Sequence, residues 1–252
     1  MASSVNTLFV SPHFDDVALS CGGTAALLAR TGRVTVVTVF GGLPPAALNA
    51  FAQFQHQRWQ TGDTTVDYRR REDLAAMRAL GVDYQWLDYP DAIYREDLYL
   101  SDEELFGPLK SEDRELRISV REALFNLASH TAAHQVYLPL AVGHHVDHQL
   151  CRDVAKPLAE HGLGVSYYED FPYAASPGSI ETALQKIARP LTPHVIDVTS
   201  TIEQRLAAIH CYTSQLPTIF RHYGKPDQVV RDYASRLSGH PHHFAERFWI
   251  YV

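Results

Sequence analysis

The sequence predicts an α/β protein: a mostly parallel, Rossmann-like sheet with helices on both faces. Three observations predict it. Short β-branched or apolar runs of strand length recur along the chain, amphipathic stretches of helix length alternate with them, and two clusters of histidine and aspartate follow two of the strand-like runs directly. With 252 residues and 46% hydrophobic content, the chain is long enough to bury a full core. No repeat, low-complexity tract or Gly/Ser linker divides it, so residues 1–252 read as one domain.

The elements follow in order. Leu8–Ser11 is a short buried strand, and Ala18–Arg30 a helix stopped at Gly32. Val34–Phe40 is a β-branched run and the clearest strand of the chain. Tyr68–Leu80 reads as a helix with Leu74, Met77 and Leu80 on one face and Gly81 as its stop. Gln85–Leu87 is the third strand. Ser111–Ser129 is the longest helix, with Ile118, Ala123, Leu124 and Leu127 beneath it. Val136–Leu140 is the fourth strand and Val146–His161 the helix after it, while Val165–Glu169 and Val195–Val198 are later strands and Ile202–Tyr212 a late helix. Such alternation implies a parallel sheet. In the usual doubly wound order the first strand lies beside the fourth, where the order reverses and ligands bind outside the strands' carboxyl ends.

Composition narrows the function. The formal net charge is −7 and the only basic tract is Arg69-Arg70-Arg71, which argues against a nucleic-acid partner. No apolar run approaches the roughly 20 residues that span a bilayer. Residues Met1–Asn6 carry no positive n-region, and Cys21, Cys151 and Cys211 match no paired spacing. The expectation is a cytoplasmic protein acting on a small molecule, with a homo-oligomer left open.

The chemistry sits in the two clusters. Ser11-Pro12-His13-Phe14-Asp15-Asp16 follows the first strand, and His144-His145-Val146-Asp147-His148 follows the fourth. A catalytic zinc takes three protein ligands plus water. A tight strand-to-helix turn can aim His13 and Asp16 at one point, and His148 is the natural third ligand. Asp15 is left over and could take a proton from the attacking water. His145, three residues before His148, projects from the same helical face and could protonate a leaving group or stabilise an oxyanion. Asp147 could orient one of these imidazoles. Each cluster also has a plainer reading: Asp15 and Asp16 as caps of the following helix, the histidines as solvated polar residues at a helix start. Their placement after two strands expected to be neighbours favours the metal site. Gly22-Gly23 and Gly41-Gly42 do not form the dinucleotide fingerprint, and carboxylates in the first turn would repel a pyrophosphate.

The first cluster, with Leu19-Ser20-Cys21-Gly22-Gly23 after it, resembles the signature of the LmbE-like (PIG-L) de-N-acetylases, and His145-Val146-Asp147-His148 resembles that family's second motif. The resemblance continues through Arg69 to Gly81, Tyr168-Glu169-Asp170-Phe171-Pro172-Tyr173 and Ala245-Glu246-Arg247-Phe248-Trp249. It implies an LmbE-like fold and a zinc-dependent hydrolase, with Fe2+ as an alternative ion, that removes an acetyl or similar acyl group from the amine of an amino-sugar conjugate. Carried over by position, His13, Asp16 and His148 match the zinc ligands, Asp15 the general base, His145 the second catalytic imidazole and Arg69 a substrate-binding arginine. Some members place a tyrosine two residues before the first histidine of the second motif. That position is Gly143 here, so the contact is absent or comes from elsewhere, for instance from Tyr173.

Specificity is expected in two long connections, 41–67 and 89–110, which leave strand carboxyl ends and should overhang the crevice. Phe51, Phe54, Trp59 and Tyr94 could line a pocket there, although Phe51 and Phe54 suit the packing of a short extra helix or a subunit interface better. Asp91 could bind a sugar hydroxyl or begin a turn. His240, His242 and His243 read as a polar surface loop rather than a second metal site. Two other activities stay open: a zinc hydratase on the same scaffold, and a non-catalytic carbohydrate- or metabolite-binding protein.

Overall fold

A computed structural model describes residues 5–59 and 65–251. Five parallel strands form the main sheet: β1 (Thr7–Ser11), β2 (Val34–Thr38), β3 (Asp83–Trp86), β4 (Gln135–Pro139) and β5 (Gly164–Tyr168). An antiparallel pair, β6 (Leu191–Asp197) and β7 (Ala245–Tyr251), extends it, giving the order β3-β2-β1-β4-β5-β7-β6. The order reverses between β1 and β4, as expected.

Alternating side chains of the central strands feed the two faces. Phe9, Val34, Val36 and Tyr137 pack under α1 (Asp16–Ala29) and α3 (Thr65–Leu80), with α9 (Ile202–His210) on the same side. Leu8, Val10, Val37, Val136 and Leu138 face α5 (Arg114–His130), α6 (Val146–Arg152) and α7 (Ala155–Glu160). Phe9 and Tyr137 stack across the β1–β4 pair with centroids 4.4 Å apart. Burial on both faces explains why these strands read as continuous apolar runs rather than alternating ones.

Several boundaries differ from expectation for physical reasons. The helix expected over 146–161 is two helices, because Pro157 has no N–H to donate to the Asp153 carbonyl four residues back and its ring crowds that carbonyl. The strand expected at Val195–Val198 begins at Leu191. It is an edge strand, mostly exposed, and carries Pro193, which an edge tolerates and a centre does not. β7 was not assigned from sequence. The third strand is Asp83–Trp86 rather than Gln85–Leu87, on the opposite edge. Between the main elements lie α2 (Ala50–Trp59), α4 (Asp102–Leu105), α8 (Ser179–Leu184), α10 (Leu216–Ile219) and α11 (Pro226–Ser238).

Helix α1 begins two residues before the expected Ala18 and is broken at Cys21, whose φ of −147° is not helical. The hydrogen bond that Gly23 would make to Leu19 is replaced from both sides. Arg205 donates to the Leu19 carbonyl, while Glu246 accepts from the Gly23 N–H at 2.9 Å and the Thr24 N–H at 2.7 Å. Arg205 and Glu246 pair with each other at 3.2 Å and are both about 2% exposed. Residue 23 is glycine because a Cβ there would lie 2.8 Å from the Glu246 carboxylate and 2.9 Å from Val198.

Candidate active site

The turn after β1 is knitted by its own side chains. The Ser11 hydroxyl accepts from the Val17 N–H, and the Asp16 carboxylate accepts from the His13 N–H at 2.7 Å. Asp15 occupies the N-cap position of α1 but makes no capping hydrogen bond, so its carboxylate is not serving the helix. His145 is the N-cap of α6 and does serve it: its Nδ1 accepts from the Asp147 N–H at 3.2 Å. The one proton of a neutral His145 ring is therefore on Nε2.

Across the β1–β4 crevice three imidazoles converge. The His13, His145 and His148 ring centroids lie 4.9–5.4 Å apart pairwise. One Asp16 oxygen lies 3.4 Å from His13 Nδ1 and 3.4 Å from His148 Nε2. The other nitrogen of each imidazole is backed by a buried aspartate: His13 Nε2 meets Asp147 at 2.9 Å, and His148 Nδ1 meets Asp170 at 2.6 Å. This is the arrangement that fixes the ring orientation of a metal-binding histidine.

Among the described residues two groups of three donors could hold an ion: His13, Asp16 and His148, or His13, His145 and Asp147. The second is already committed, since Asp147 accepts from Arg95 and from the Ala92 N–H, and His145 Nδ1 caps α6. The first faces the cavity. Among the described residues, five carboxylates (Asp15, Asp16, Asp91, Asp147 and Asp170) lie within ion-pair distance of site histidines or of Arg69 and Arg95. Burial disfavours charge on His13, yet Asp91, Asp147 and Asp16 outweigh it and raise its pKa well above the ordinary value. Burial likewise opposes charge on His148, and Asp16 and Asp170 again prevail. Imidazole and carboxylate donors brought together in so strongly carboxylate-surrounded a place are a set that a divalent cation fits.

The adjacent aspartates diverge. Burial raises the Asp15 pKa, partly opposed by Arg69, whose NH2 is 3.7 Å away, and the Asp16 charge raises it further. Burial also works against Asp16, but the His148 and His13 imidazoles outweigh it and hold that carboxyl below its usual range. Burial pushes His145 well below the ordinary imidazole value, so the ring is neutral near pH 7.

These side chains line a cavity of about 250 Å³. Its walls include Gln55, Arg58 and Trp59 from the first long connection, and Asp91, Ile93, Leu105 and Phe106 from the second; residues 60–64 of the first lie outside the described residues. Of the four aromatics considered, Trp59 alone is at the wall. Phe54 is 51% exposed, Phe51 packs inward from α2, and Tyr94 is buried against His56. Arg69 is the arginine of its tract that reaches the cavity. Its guanidinium sits 5.4 Å from the Phe14 ring and 5.1 Å from the Trp59 ring, and its buried Nε has no hydrogen-bond partner among the described residues. Arg70 turns away to Asp88 and the Gly41 carbonyl. Asp91 accepts from the Ile93 N–H, as a turn residue does, and its other oxygen lies 3.7 Å from His13 Nε2.

Tyr173 packs against Gly143. A Cβ at 143, where φ is +87°, would lie 2.9 Å from the tyrosine ring, so a side chain at 143 and this ring exclude one another. Of the three imidazoles that Asp147 could orient, it meets His13, across the crevice, because α6 starts there and points the carboxylate at the β1 turn. Two residues escaped sequence reasoning. Asp170 follows β5 in a stretch noted only for resemblance, and Arg95 had no local signal at all. The histidines at 240, 242 and 243 are exposed and away from the cavity; His243 lies 3.7 Å from Asp197.

Fold and site together fit a metal-dependent hydrolase, with a candidate divalent-metal site at a doubly wound switch point. The chain belongs to the PIG-L family, described as GlcNAc-PI de-N-acetylase, which matches residues 8–159. It is 33% identical over 214 residues to 2'-N-acetylparomamine deacetylase of Streptomyces fradiae, covering 83% of this chain and 73% of that protein. The zinc-inhibited form of teicoplanin deacetylase Orf2 superposes with a TM-score of 0.87 at 27% identity, covering 98% of both chains. A 4-carboxy-2-hydroxymuconate hydratase, GalB from Pseudomonas putida KT2440, shares the fold alone, at 20% identity and a TM-score of 0.65 over 98% of this chain and 97% of that one. No helix among the described residues is long and apolar enough to cross a membrane.

Proposed function

We propose that this protein removes an N-acyl group, acetyl in the first instance, from the amine of an amino-sugar conjugate, as one domain with one zinc ion held by His13, Asp16 and His148. The observation that carries the reading is the convergence of these three donors, with uncapped Asp15 beside them, at the carboxyl ends of β1 and β4. When bound, such an ion lowers the pKa of a water to about 7 and polarises a carbonyl oxygen. Asp15 takes the proton of the attacking water, and its raised pKa makes it a stronger base than an exposed aspartate. His145 offers its Nε2–H to the developing oxyanion or the departing amine. The Tyr173 hydroxyl stands in for the side chain that Gly143 lacks, on the acyl oxygen. Arg69, clamped between Phe14 and Trp59, and Asp91 hold substrate hydroxyls.

The two relatives' named substrates, an acetylated paromamine and teicoplanin, both support a conjugated amino sugar as the substrate class. The free cysteines Cys21, Cys151 and Cys211 support a cytoplasmic site of action. Metal content and acetate release, measured on a panel of N-acetylated glucosamine conjugates, test the reading. Metal-dependent release from at least one conjugate is expected. A protein that binds the conjugates without releasing acetate is a binding protein, and the reading falls.

A further inference from the structure

The two imidazoles proposed to hold the metal are backed differently. Asp170, behind His148, is held among the described residues by a backbone group, the Val142 N–H at 2.8 Å. Asp147, behind His13, is gripped at both oxygens. Its Oδ2 meets His13 Nε2 at 2.9 Å and the Ala92 N–H at 3.1 Å, and its Oδ1 accepts from the Arg95 guanidinium. Arg95 is itself over-determined: NH1 donates to both oxygens of Asp113 at 3.3 and 3.4 Å, Nε donates to the Pro90 carbonyl at 3.3 Å, and the guanidinium lies 4.9 Å from the Phe40 ring. Asp113 is locked in turn by the Tyr99 hydroxyl. Arg95, Asp113 and Asp147 are 6%, 3% and 0% exposed.

We infer that Arg95 is a positioning residue for the metal centre, acting through Asp147 to aim the His13 imidazole. The inference rests on the metal reading given above. A carboxylate this deeply buried stays ionised only beside a compensating charge, and with Arg95 donating to Oδ1 and His13 and Ala92 meeting Oδ2, neither oxygen is left to carry a proton. Arg95 supplies that charge and fixes the position of Oδ1, since its own planar guanidinium is held by Asp113 and the Pro90 carbonyl through its other nitrogens. Both groups that hold Asp147 come from the 89–95 stretch of the second long connection, which also carries Ile93 in the cavity wall. One segment thus shapes the pocket and aligns a metal ligand.

The test is a Co2+ titration of the metal-free full chain, read by cobalt absorption, with chelator competition for Zn2+. Arg95→Met is expected to bind both ions about 10–100-fold more weakly, the cost typical of removing an outer partner of a ligand. Arg95→Lys keeps the charge but replaces the fork with a point donor, and should fall between Met and the parent. Asp147→Asn should weaken binding as much as Arg95→Met, and the double variant no further than Asp147→Asn alone, because both act through one hydrogen bond. Parent affinity in Arg95→Lys, or in a folded Arg95→Met, overturns the inference, as do costs that add in the double variant. Should Arg95→Met not fold, the Lys variant and its cycle with Asp147→Asn decide alone. A parent protein that binds neither ion, or a His148→Ala variant that binds as tightly, would instead remove the metal reading itself.

Discussion

Buried charge meets helix α1 at two places that work in opposite ways. At its first turn, Asp15 and Asp16 belong to a cluster with more carboxylates than cations, open to a cavity. At its middle, Arg205 and Glu246 form a closed pair whose charges cancel and whose hydrogen bonds replace those the kink removes. Both are costly to desolvate. The balanced pair is closed off from the cavity and its charges answer each other, so it is structural. The unbalanced cluster is completed only by something from outside, and imbalance combined with access is what marks it as functional.

Four experiments bear on that contrast. The largest effect is expected from Asp15→Asn, which should keep its metal while turnover falls about 10²–10⁴-fold; loss of metal in Asp15→Asn but not in Asp16→Asn would reverse the two roles. Next, Glu246→Ala should destabilise the fold by about 3–5 kcal/mol in denaturant titration, since it leaves the Arg205 charge buried without its partner. Metal affinity of the folded fraction should stay at the parent value, and a large loss there would break the separation between the two places. Third, chelation should lower the stability of the parent by about 3 kcal/mol when metal had been present at a hundredfold excess over Kd. Asp16→Asn should show little of that drop, and Glu246→Ala all of it. The smallest effect concerns pH. Protonation of His145 would turn the Nδ1 acceptor into a second donor facing the Asp147 N–H, so the neutral ring is the working form. Activity should fall as pH drops through a pKa below the ordinary 6.5, and His145→Ala, besides being slower, should lack that acid limb. A limb that persists in His145→Ala assigns it to another group.

Legibility in the sequence followed distance along the chain. The parallel core was readable because β1, β2 and β4 are buried on both faces and their apolar runs need no partner to be recognised. The antiparallel end was not, because β6 is an exposed edge with a proline and β7 mixes polar and aromatic residues. The turn that carries two of the proposed ligands was readable because His13 and Asp16 lie three residues apart. Asp147 stands out in the sequence, but which imidazole it orients does not, since its partners His13 and Arg95 are 134 and 52 residues away. Arg95 stands in a connection with no periodicity, and nothing local distinguishes it from a solvated arginine.

The kink in α1 also has a consequence in time. A ribosome releases the His13 turn early and His148 much later, but the carboxylate that closes the Gly23 and Thr24 N–H groups arrives only with residue 246, more than 220 positions on. Until then the helix behind the ligand turn has open backbone groups in its middle. Residues 1–159 contain all three proposed ligands yet lack both Arg205 and Glu246. Synthesised alone, that fragment is expected to lose the sharp metal titration of the full chain, and adding back a peptide spanning β7 would not restore it without Arg205 as well. The catalytic end of this protein is written first and finished last.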